Sequence, residues 1–191
     1  MISLRRIRSV LGAAALALAM PAFALPAHAE EAPRTLHELA PLVGFYTGDA
    51  LRGMTLGGLE YTWHAWDEFS LAAGVQAGAA AIDDDTRIDV HSGDLFGIAT
   101  LAVVWDFPIR FGLEEDAPLA NFYTSIGPAY VRLGDEEAWG GFIGGGIVVQ
   151  TGWCWLALRA DFKSLFYSVR NLSGQNFNAD VNLALGPAIQ F

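Results

Sequence analysis

Cysteine and basic residues are both scarce in this chain. Cys154 is its single cysteine, so an intramolecular disulfide is excluded. Small exported domains often depend on disulfides, so a domain of this kind would need another source of stability. Only 11 Lys and Arg residues stand against 21 Asp and Glu residues, a formal net charge of −10. That sign disfavours nucleic acid and anionic lipid as partners, so we expect no nucleic-acid binding.

Long apolar runs are missing after the N-terminal segment. No later stretch reaches about 18 uninterrupted apolar residues, which excludes a hydrophobic transmembrane helix there. At the N-terminus, Arg5, Arg6 and Arg8 precede an apolar stretch at 10–20 and a small-x-small site at 27–29. This order is typical of a secretory signal peptide that is removed from the mature protein.

The predicted cleavage divides the chain into a signal peptide at 1–29 and one domain at 30–191. A membrane anchor is disfavoured because the apolar run is short and Pro21 and Pro26 interrupt it. The mature chain would have 162 residues, with 8 basic against 21 acidic residues and a net charge of −13. This length suits a single domain.

Helical periodicity is nearly absent after the signal segment, whereas a period of two recurs throughout. Such alternation is typical of β-strands. Most of the alternating segments are long enough to cross a bilayer at a tilt, which takes about nine to eleven residues. The sequence therefore predicts an all-β fold, a transmembrane antiparallel up-and-down β-barrel of about eight strands. The predicted strands are 36–47, 54–64, 69–81, 95–106, 120–133, 139–150, 153–168 and 178–191.

The two faces of the predicted strands differ in polarity. In the last strand Leu183, Leu185 and Ile189 share one face, and Asn182 and Gln190 share the other. A soluble barrel would bury the apolar face, whereas a membrane barrel shows it to lipid. Gly, Ala and Ser are frequent on the polar faces, which suits a narrow lumen. In the fourth and sixth strands, Gly and Ala make it ambiguous which residues face inward. We therefore expect contact with outer-membrane lipids and a location in the cell outer membrane.

The tryptophans fall near the ends of the predicted strands. Indole prefers the bilayer interface, so this placement predicts aromatic girdles. If the N-terminus is periplasmic, five of them lie at the periplasmic end and Trp139 lies at the other. The alternative is core tryptophan, which would lie in mid-strand. The predicted girdle residues are Trp63, Trp66, Trp105, Trp139, Trp153 and Trp155.

Charged residues also occur on the inward faces. Arg159, Asp161 and Lys163 alternate along the seventh strand, and Glu60 and Asp180 take the matching faces of the second and eighth. Buried charges have to pair, so these five residues predict a salt-bridge network in the lumen. An eight-stranded barrel is about filled by its own side chains, which favours a structural plug. The alternative is a polar relay or narrow conduit.

Two predicted connections are candidates for binding. The segment at 82–94 is dense in aspartate, and such oxygen ligands can hold calcium, but its spacing does not follow the twelve-residue calcium loop. A solvated acidic loop is favoured, and we predict no metal and no cofactor. The segment at 107–119 is long for a periplasmic turn and carries acidic residues at 114–116. Long connections are often functional, so it predicts a docking surface for a periplasmic partner.

Residues suited to catalysis are few. The mature chain has only His37, His64 and His91, and no GxSxG motif occurs. His91 precedes Ser92 directly, and neighbours on a strand point to opposite faces. We therefore predict no catalytic residues and no enzymatic activity.

The end of the last strand resembles the C-terminal signal that is read by the outer-membrane assembly machinery. Gly186, Ile189 and Phe191 carry the resemblance, and Ala184 departs from its usual polar position. The resemblance implies that the machinery recognises this strand by edge pairing. Pro187 lies inside the same strand and has no N–H, so it predicts a local irregularity of the sheet.

Five segments resemble the small outer-membrane β-barrel domain of myxobacteria and related lineages. They are PLVGFYTGD from Pro41, GGLEYTWH from Gly57, WDFPIRFG from Trp105, NFYTSIGPAY from Asn121 and LALRADF from Leu156. The resemblance implies eight strands and an outer-membrane location, and it implies no activity. We therefore expect a structural or partner-anchoring barrel. The alternative is a narrow channel or transport barrel for small solutes, and a lipid-modifying enzyme is less favoured.

Overall fold

The described part of the chain forms eight antiparallel strands. In the computed structural model it comprises residues 36–48, 53–66, 68–80, 94–110, 119–151, 153, 155–171 and 174–191. The strands are β1 (His37–Thr47), β2 (Met54–Trp63), β3 (Phe69–Ala79), β4 (Leu95–Arg110), β5 (Leu119–Leu133), β6 (Glu136–Gln150), β7 (Leu156–Asn171) and β8 (Gly174–Gln190). Each strand pairs with its neighbours in sequence, and β8 pairs with β1. The predicted fold, a closed all-β barrel of eight strands, is confirmed.

Closure of the barrel is made by backbone hydrogen bonds between its first and last strands. The N–H of His37 donates to the carbonyl of Phe191 at 3.0 Å, and the N–H of Phe191 donates back at 3.0 Å. The ladder pairs Glu38 and Leu39 with Gln190 and Ile189, and after a gap it pairs Val43–Thr47 with Val181–Leu185. A closed sheet leaves no unpaired edge along its strands.

Several strands extend beyond their predicted ends. β4 runs on to Arg110, so the predicted connection at 107–119 is too long. β6 begins at Glu136, three residues early, and β8 begins at Gly174, four residues early. β7 begins only at Leu156. The early start of β6 follows from a short turn, since Gly134 and Asp135 alone connect it to β5.

The outward faces are apolar and exposed, and the inward faces are buried. In β8, Leu183, Leu185 and Ile189 are exposed, whereas Asn182 and Gln190 are buried. The structure also settles the phase of β4 and β6, where the even-numbered residues point inward. The apolar-out arrangement is that of a membrane barrel, not of a soluble one. In the described ranges, no helix is long and apolar enough to span a membrane.

Two apolar clusters fill much of the lumen. We call the end at which β1 begins and β8 ends the lower end, and the opposite end the upper end. The larger cluster occupies the upper half and includes Tyr46, Leu56, Phe96, Phe142 and Leu165. The smaller one lies in the lower half and is built mainly of alanines and short side chains around Tyr123 and Val148. The polar residues lie between and beside these clusters.

Candidate functional site: a polar network in the lumen

Arg159 is the centre of the lumenal network. Its Nη1 donates to Glu38 Oε1 at 2.7 Å and to Thr62 Oγ1 at 3.1 Å. Its Nε donates to Asp161 Oδ1 at 2.9 Å, and its Nη2 donates to Glu60. One guanidinium therefore joins carboxylates of β1, β2 and β7, using the planar fork of donors that distinguishes arginine from lysine.

The position of Arg159 explains this reach. Its partner in the register on β8 is Gly186, which has no side chain to block the path toward β1. The guanidinium packs over the ring of Tyr123, with 4.8 Å between Cζ and the ring centroid. The side chains of Arg159 and Glu38 are almost fully buried, so their charges depend on each other for compensation.

Lys163 extends the network two inward positions above Arg159 on β7. Its ammonium donates to Glu60, so Glu60 is shared between two cations. The ammonium also lies 5.6 Å from the centroid of the Phe142 ring. The network thus holds two cations, Arg159 and Lys163, and three carboxylates, and Arg159 and Glu60 are its shared members.

A cavity the size of about one water molecule adjoins this network. Its volume is ≈ 10 Å³, which is near the minimum for one water. Several buried polar atoms of the lumen make no hydrogen bond to another protein atom, among them the Oδ1 of Asn182, a residue that lines this cavity. The polar residues that line it are Glu60, Gln76, Thr100, Lys163 and Asn182. These groups can bind a single water, but the space does not form a wide passage.

Asp180 lies higher in the barrel, against two tyrosines. The hydroxyls of Tyr46 and Tyr167 both donate to it, and they lie 3.3 Å from each other. Below it, the Nδ2 of Asn182 donates to the Oε1 of Gln76 across the lumen at 2.6 Å. The described partners of Asp180 are thus the two tyrosines, and its place in the predicted salt-bridge network stays a prediction.

A second polar cluster lies at the lower end. Ser70 Oγ donates to Asp106 Oδ2 at 2.6 Å and lies 2.8 Å from His64 Nδ1. Asn121 donates to the other carboxylate oxygen at 2.8 Å. In a catalytic triad the histidine lies between serine and aspartate, whereas here the serine lies between the other two. Ser70 is also fully buried, so this geometry does not activate a nucleophile.

The tryptophans lie at the ends of the barrel and are exposed. Trp63 and Trp66 lie 6.2 Å apart between ring centroids, and Trp153 and Trp155 stack at 5.8 Å with an angle of 3° between the rings. Trp153 and Trp155 lie in the turn before β7, not at its start as predicted. Exposures range from 42% for Trp63 to 75% for Trp139. Five tryptophans surround the lower end: Trp63, Trp66, Trp105, Trp153 and Trp155.

The residues that resemble an assembly signal lie along the closing strand. Ile189 and Phe191 point outward and are exposed. Gly186 lies against the backbone of β1, where an added Cβ would collide with the carbonyl oxygen of Pro41. This contact explains why position 186 carries glycine here.

Some predicted binding segments fall outside the described residues. This holds for 82–93 of the aspartate-rich loop, for 111–118 of the proposed docking segment, and for Cys154. Within the described ranges, no group of three or more His, Cys, Asp or Glu residues is arranged to hold a metal ion.

Sequence reasoning missed Glu38, Tyr46 and Tyr167 as members of the lumenal network. Alternation along the first strand does place Glu38 and Tyr46 on one face, and that signal was sufficient to include them as inward residues. The contact partners of these residues could not be predicted from the alternation within one strand. The contact between Glu38 and Arg159 spans 121 residues and depends on closure of the barrel.

Comparisons with solved structures give the same fold. The crystal structure of the N-terminal β-barrel domain of Pseudomonas aeruginosa OprF matches with a TM-score of 0.53 at 13% identity, covering 83% of this chain and 100% of that one. The solid-state NMR structure of the outer membrane protein AlkL in DMPC bilayers gives 0.52 at 13%, covering 87% and 95%. Neisserial surface protein A gives 0.50 at 9%, covering 81% and 97%.

No protein-family model matches the chain, and the search of curated proteins finds no match. At these identities the structural similarity shows the fold alone. The chain is therefore an eight-stranded antiparallel barrel of the kind found in small outer-membrane proteins, with an apolar outer face and a polar network inside.

Proposed function

We propose that the protein is a structural or partner-anchoring barrel of the outer membrane with no catalytic activity. The outer face supports the location: Leu185 is 67% exposed and Leu101 61%, in the middle of their strands. Exposing so many apolar side chains to water is unfavourable, whereas the hydrocarbon of a bilayer accommodates them. The exposed tryptophans at both ends fit the two interfaces of a bilayer.

The observation that carries the structural role is the filled lumen. The apolar cluster around Phe96, Phe142 and Leu165 occupies the upper half, and the network centred on Arg159 occupies the lower half. Eight strands leave room for side chains but little else. A continuous aqueous path would require several of these side chains to move together, so a channel for small solutes is the less supported alternative.

The conductance of the reconstituted barrel tests this proposal. We expect the mature chain, refolded into a planar bilayer, to show no steady single-channel steps, because its lumen is filled by side chains. A detergent gel of heated and unheated samples establishes that the inserted protein is folded, and a larger porin is the positive control. Reproducible single-channel steps from folded protein would instead support the transport alternative.

Several finer features of this proposal are still predictions. Removal of residues 1–29 is tested by N-terminal sequencing of the mature protein. The resemblance to the myxobacterial barrel domain supports insertion into the outer membrane, and we propose that the assembly machinery recognises Gly186, Ile189 and Phe191. Replacing Phe191 with serine is expected to slow that insertion.

A periplasmic partner is proposed at 107–119. The strand β4 includes Phe107–Arg110, so the docking segment reduces to the connection at 111–118. Its acidic residues at 114–116 would attract a basic surface. Deletion of 114–116 should remove a cross-linked partner while leaving the folded band on a detergent gel unchanged; an identical set of cross-links would argue against this docking site.

A further inference from the structure

The hydrogen-bonded ladders between neighbouring strands are of two kinds. Within the described registers, the ladders β1–β2, β2–β3, β3–β4, β5–β6, β6–β7 and β7–β8 are continuous. The ladders β1–β8 and β4–β5 are each interrupted near mid-height. The pairs that flank the gaps are Leu39–Ile189 and Val43–Leu185 in β1–β8, and Thr100–Ala129 and Val103–Ile126 in β4–β5.

Two prolines face each other in the gap of β1–β8. The flanking register places Pro41 directly opposite Pro187. The reciprocal bonds between His37 and Phe191 set the phase, so every second pair, including this one, is a hydrogen-bonding pair. Neither proline has an N–H to donate. The seam therefore lacks both hydrogen bonds that a pair at this position would make.

One proline occupies the gap of β4–β5. The register places Pro128 opposite Leu101, and the bond from Gly134 N–H to the Leu95 carbonyl shows that this too is a hydrogen-bonding pair. Pro128 cannot donate to the carbonyl of Leu101, so one ladder bond is lost. The irregularity predicted from Pro187 thus occurs twice in the barrel.

At each gap a glycine precedes the proline, and both glycines lie close to a backbone carbonyl oxygen of the neighbouring strand. An added Cβ on Gly186 would collide with the carbonyl oxygen of Pro41, and one on Gly127 would collide with that of Leu101. In both places the carbonyl that lacks a proline donor approaches the glycine Cα. Such Cα–H···O contacts recur in sheets but are weaker than the N–H bonds they replace here.

The two gaps lie on opposite sides of the barrel. Four strands separate them in either direction, so they divide it into two four-stranded sheets, β1–β4 and β5–β8. All ladders inside each sheet are continuous. A connection along the chain links β4 with β5, whereas β1 and β8 are the first and last strands.

Side-chain hydrogen bonds in the lumen join these two sheets. Arg159 and Lys163 belong to one sheet, and their carboxylate partners Glu38 and Glu60 belong to the other. Two further contacts join the strands of the interrupted ladders below the gaps: Gln190 to Glu38 at 3.1 Å, and Asn121 to Asp106 at 2.8 Å. Among the described residues, the side-chain bonds between the sheets are Arg159–Glu38, Arg159–Glu60, Arg159–Thr62, Lys163–Glu60, Asn182–Gln76, Tyr46–Asp180, Tyr46–Tyr167, Gln190–Glu38 and Asn121–Asp106.

We propose that the barrel is a two-sheet clamp that opens along the β1–β8 seam. The β4–β5 junction is the hinge, because it lacks only one bond and its strands are consecutive in the chain. The β1–β8 seam is the gate, because it lacks two bonds and its strands are held by pairing and side chains alone. The network around Arg159 is the latch that keeps the gate closed. This device is additional to the proposed anchoring role.

Amide hydrogen exchange of the refolded barrel in lipid nanodiscs tests the gate. The amides of Val43 and Leu185 pair across the seam beside the gap, and we expect them to exchange at least about tenfold faster than amides in the β6–β7 ladder, since a local opening precedes global unfolding. Equal rates at the seam and in β6–β7 would overturn the proposal.

Restoring the missing donors gives the decisive comparison. In the double variant Pro41→Ala, Pro187→Ala, exchange at Val43 and Leu185 should slow by about tenfold relative to β6–β7, because two ladder bonds become available. Pro108→Ala is the control, since Pro108 is exposed near the lower end and pairs with Asn121 outside the gap. Unchanged seam exchange in a folded double variant, or equal slowing by the control, would reject the gate.

Weakening the latch gives an independent readout. In Glu38→Gln, exchange should accelerate at the β1–β8 seam, while the ladders within each sheet keep their protection. Acceleration of equal size in the β2–β3 and β6–β7 ladders would show a single cooperative barrel and contradict the two-sheet description. If this variant does not fold, the proline variants decide the question without it.

Discussion

Replacing Arg159 with methionine is expected to lower the free energy of unfolding of the barrel by about 3–5 kcal/mol, because it leaves buried carboxylates without their cation. Glu38 and Asp161 each lose their ion pair with the guanidinium, and Glu60 keeps only Lys163. Methionine has a similar length, so the loss of packing is small compared with the loss of charge compensation. Urea titration of the barrel folded into lipid vesicles measures the difference.

The matched control removes the same charge at the surface. Arg132 is exposed near the upper end, and its described hydrogen bond is to the carbonyl of Gly134 at 3.1 Å. Arg132→Met should therefore change stability by about 0.5 kcal/mol or less. A similar small effect at both positions would show that the lumenal network does not stabilise the barrel, and the structural plug would have to be abandoned.

The strands could be predicted because a half-buried strand records its two faces in the sequence. Leu183 and Leu185 alternate with Asn182 and Ala184, and the exposed and buried faces follow that alternation. The sequence also indicated which face points inward. Arg159, Asp161 and Lys163 lie on polar faces that are rich in small residues, and a narrow lumen requires small residues whereas a water-exposed surface does not. Gly and Ala erase this signal in β4 and β6, where only the structure fixes the phase.

Strand ends were harder to predict because proline and polar residues do not always end a strand. The fourth strand was predicted to end at residue 106, yet it continues through Pro108, which faces Asn121 on β5; β3 no longer runs beside it after pairing Phe69 with Trp105. Its missing N–H therefore interrupts no ladder. The start of β6 at Glu136 was missed for another reason: two adjacent glutamates show no alternation of polarity.

The partners within the site were not predictable from one strand at a time. Alternation shows which side chains point inward, but the register around a closed barrel decides which of them meet. Asp180 and Lys163 are on adjacent strands, yet Asp180 accepts hydrogen bonds from Tyr46 and Tyr167 at a higher level of the lumen. Closure also determines that Pro41 faces Pro187, a pairing between residues at the two ends of the domain.

Replacing Leu185 with arginine is expected to destabilise the barrel in lipid vesicles by about 2–4 kcal/mol, the cost of placing arginine on the lipid face near the bilayer midplane. Leu185 lies in the middle of β8 and points outward, with 67% of its surface exposed. A soluble barrel would tolerate the same change at a site this exposed. Guanidinium titration in vesicles measures the difference.

Depth separates the membrane explanation from a general effect of the added charge. Leu95 is equally exposed, at 64%, but it is the first residue of β4 and lies near the upper end. Leu95→Arg should cost only about 0–1 kcal/mol, because arginine near the interface stays hydrated. Equal and small effects at the two leucines would place the apolar belt in water rather than hydrocarbon. A large effect at Leu185 alone requires hydrocarbon around the middle of the barrel, since exposure and substitution are matched.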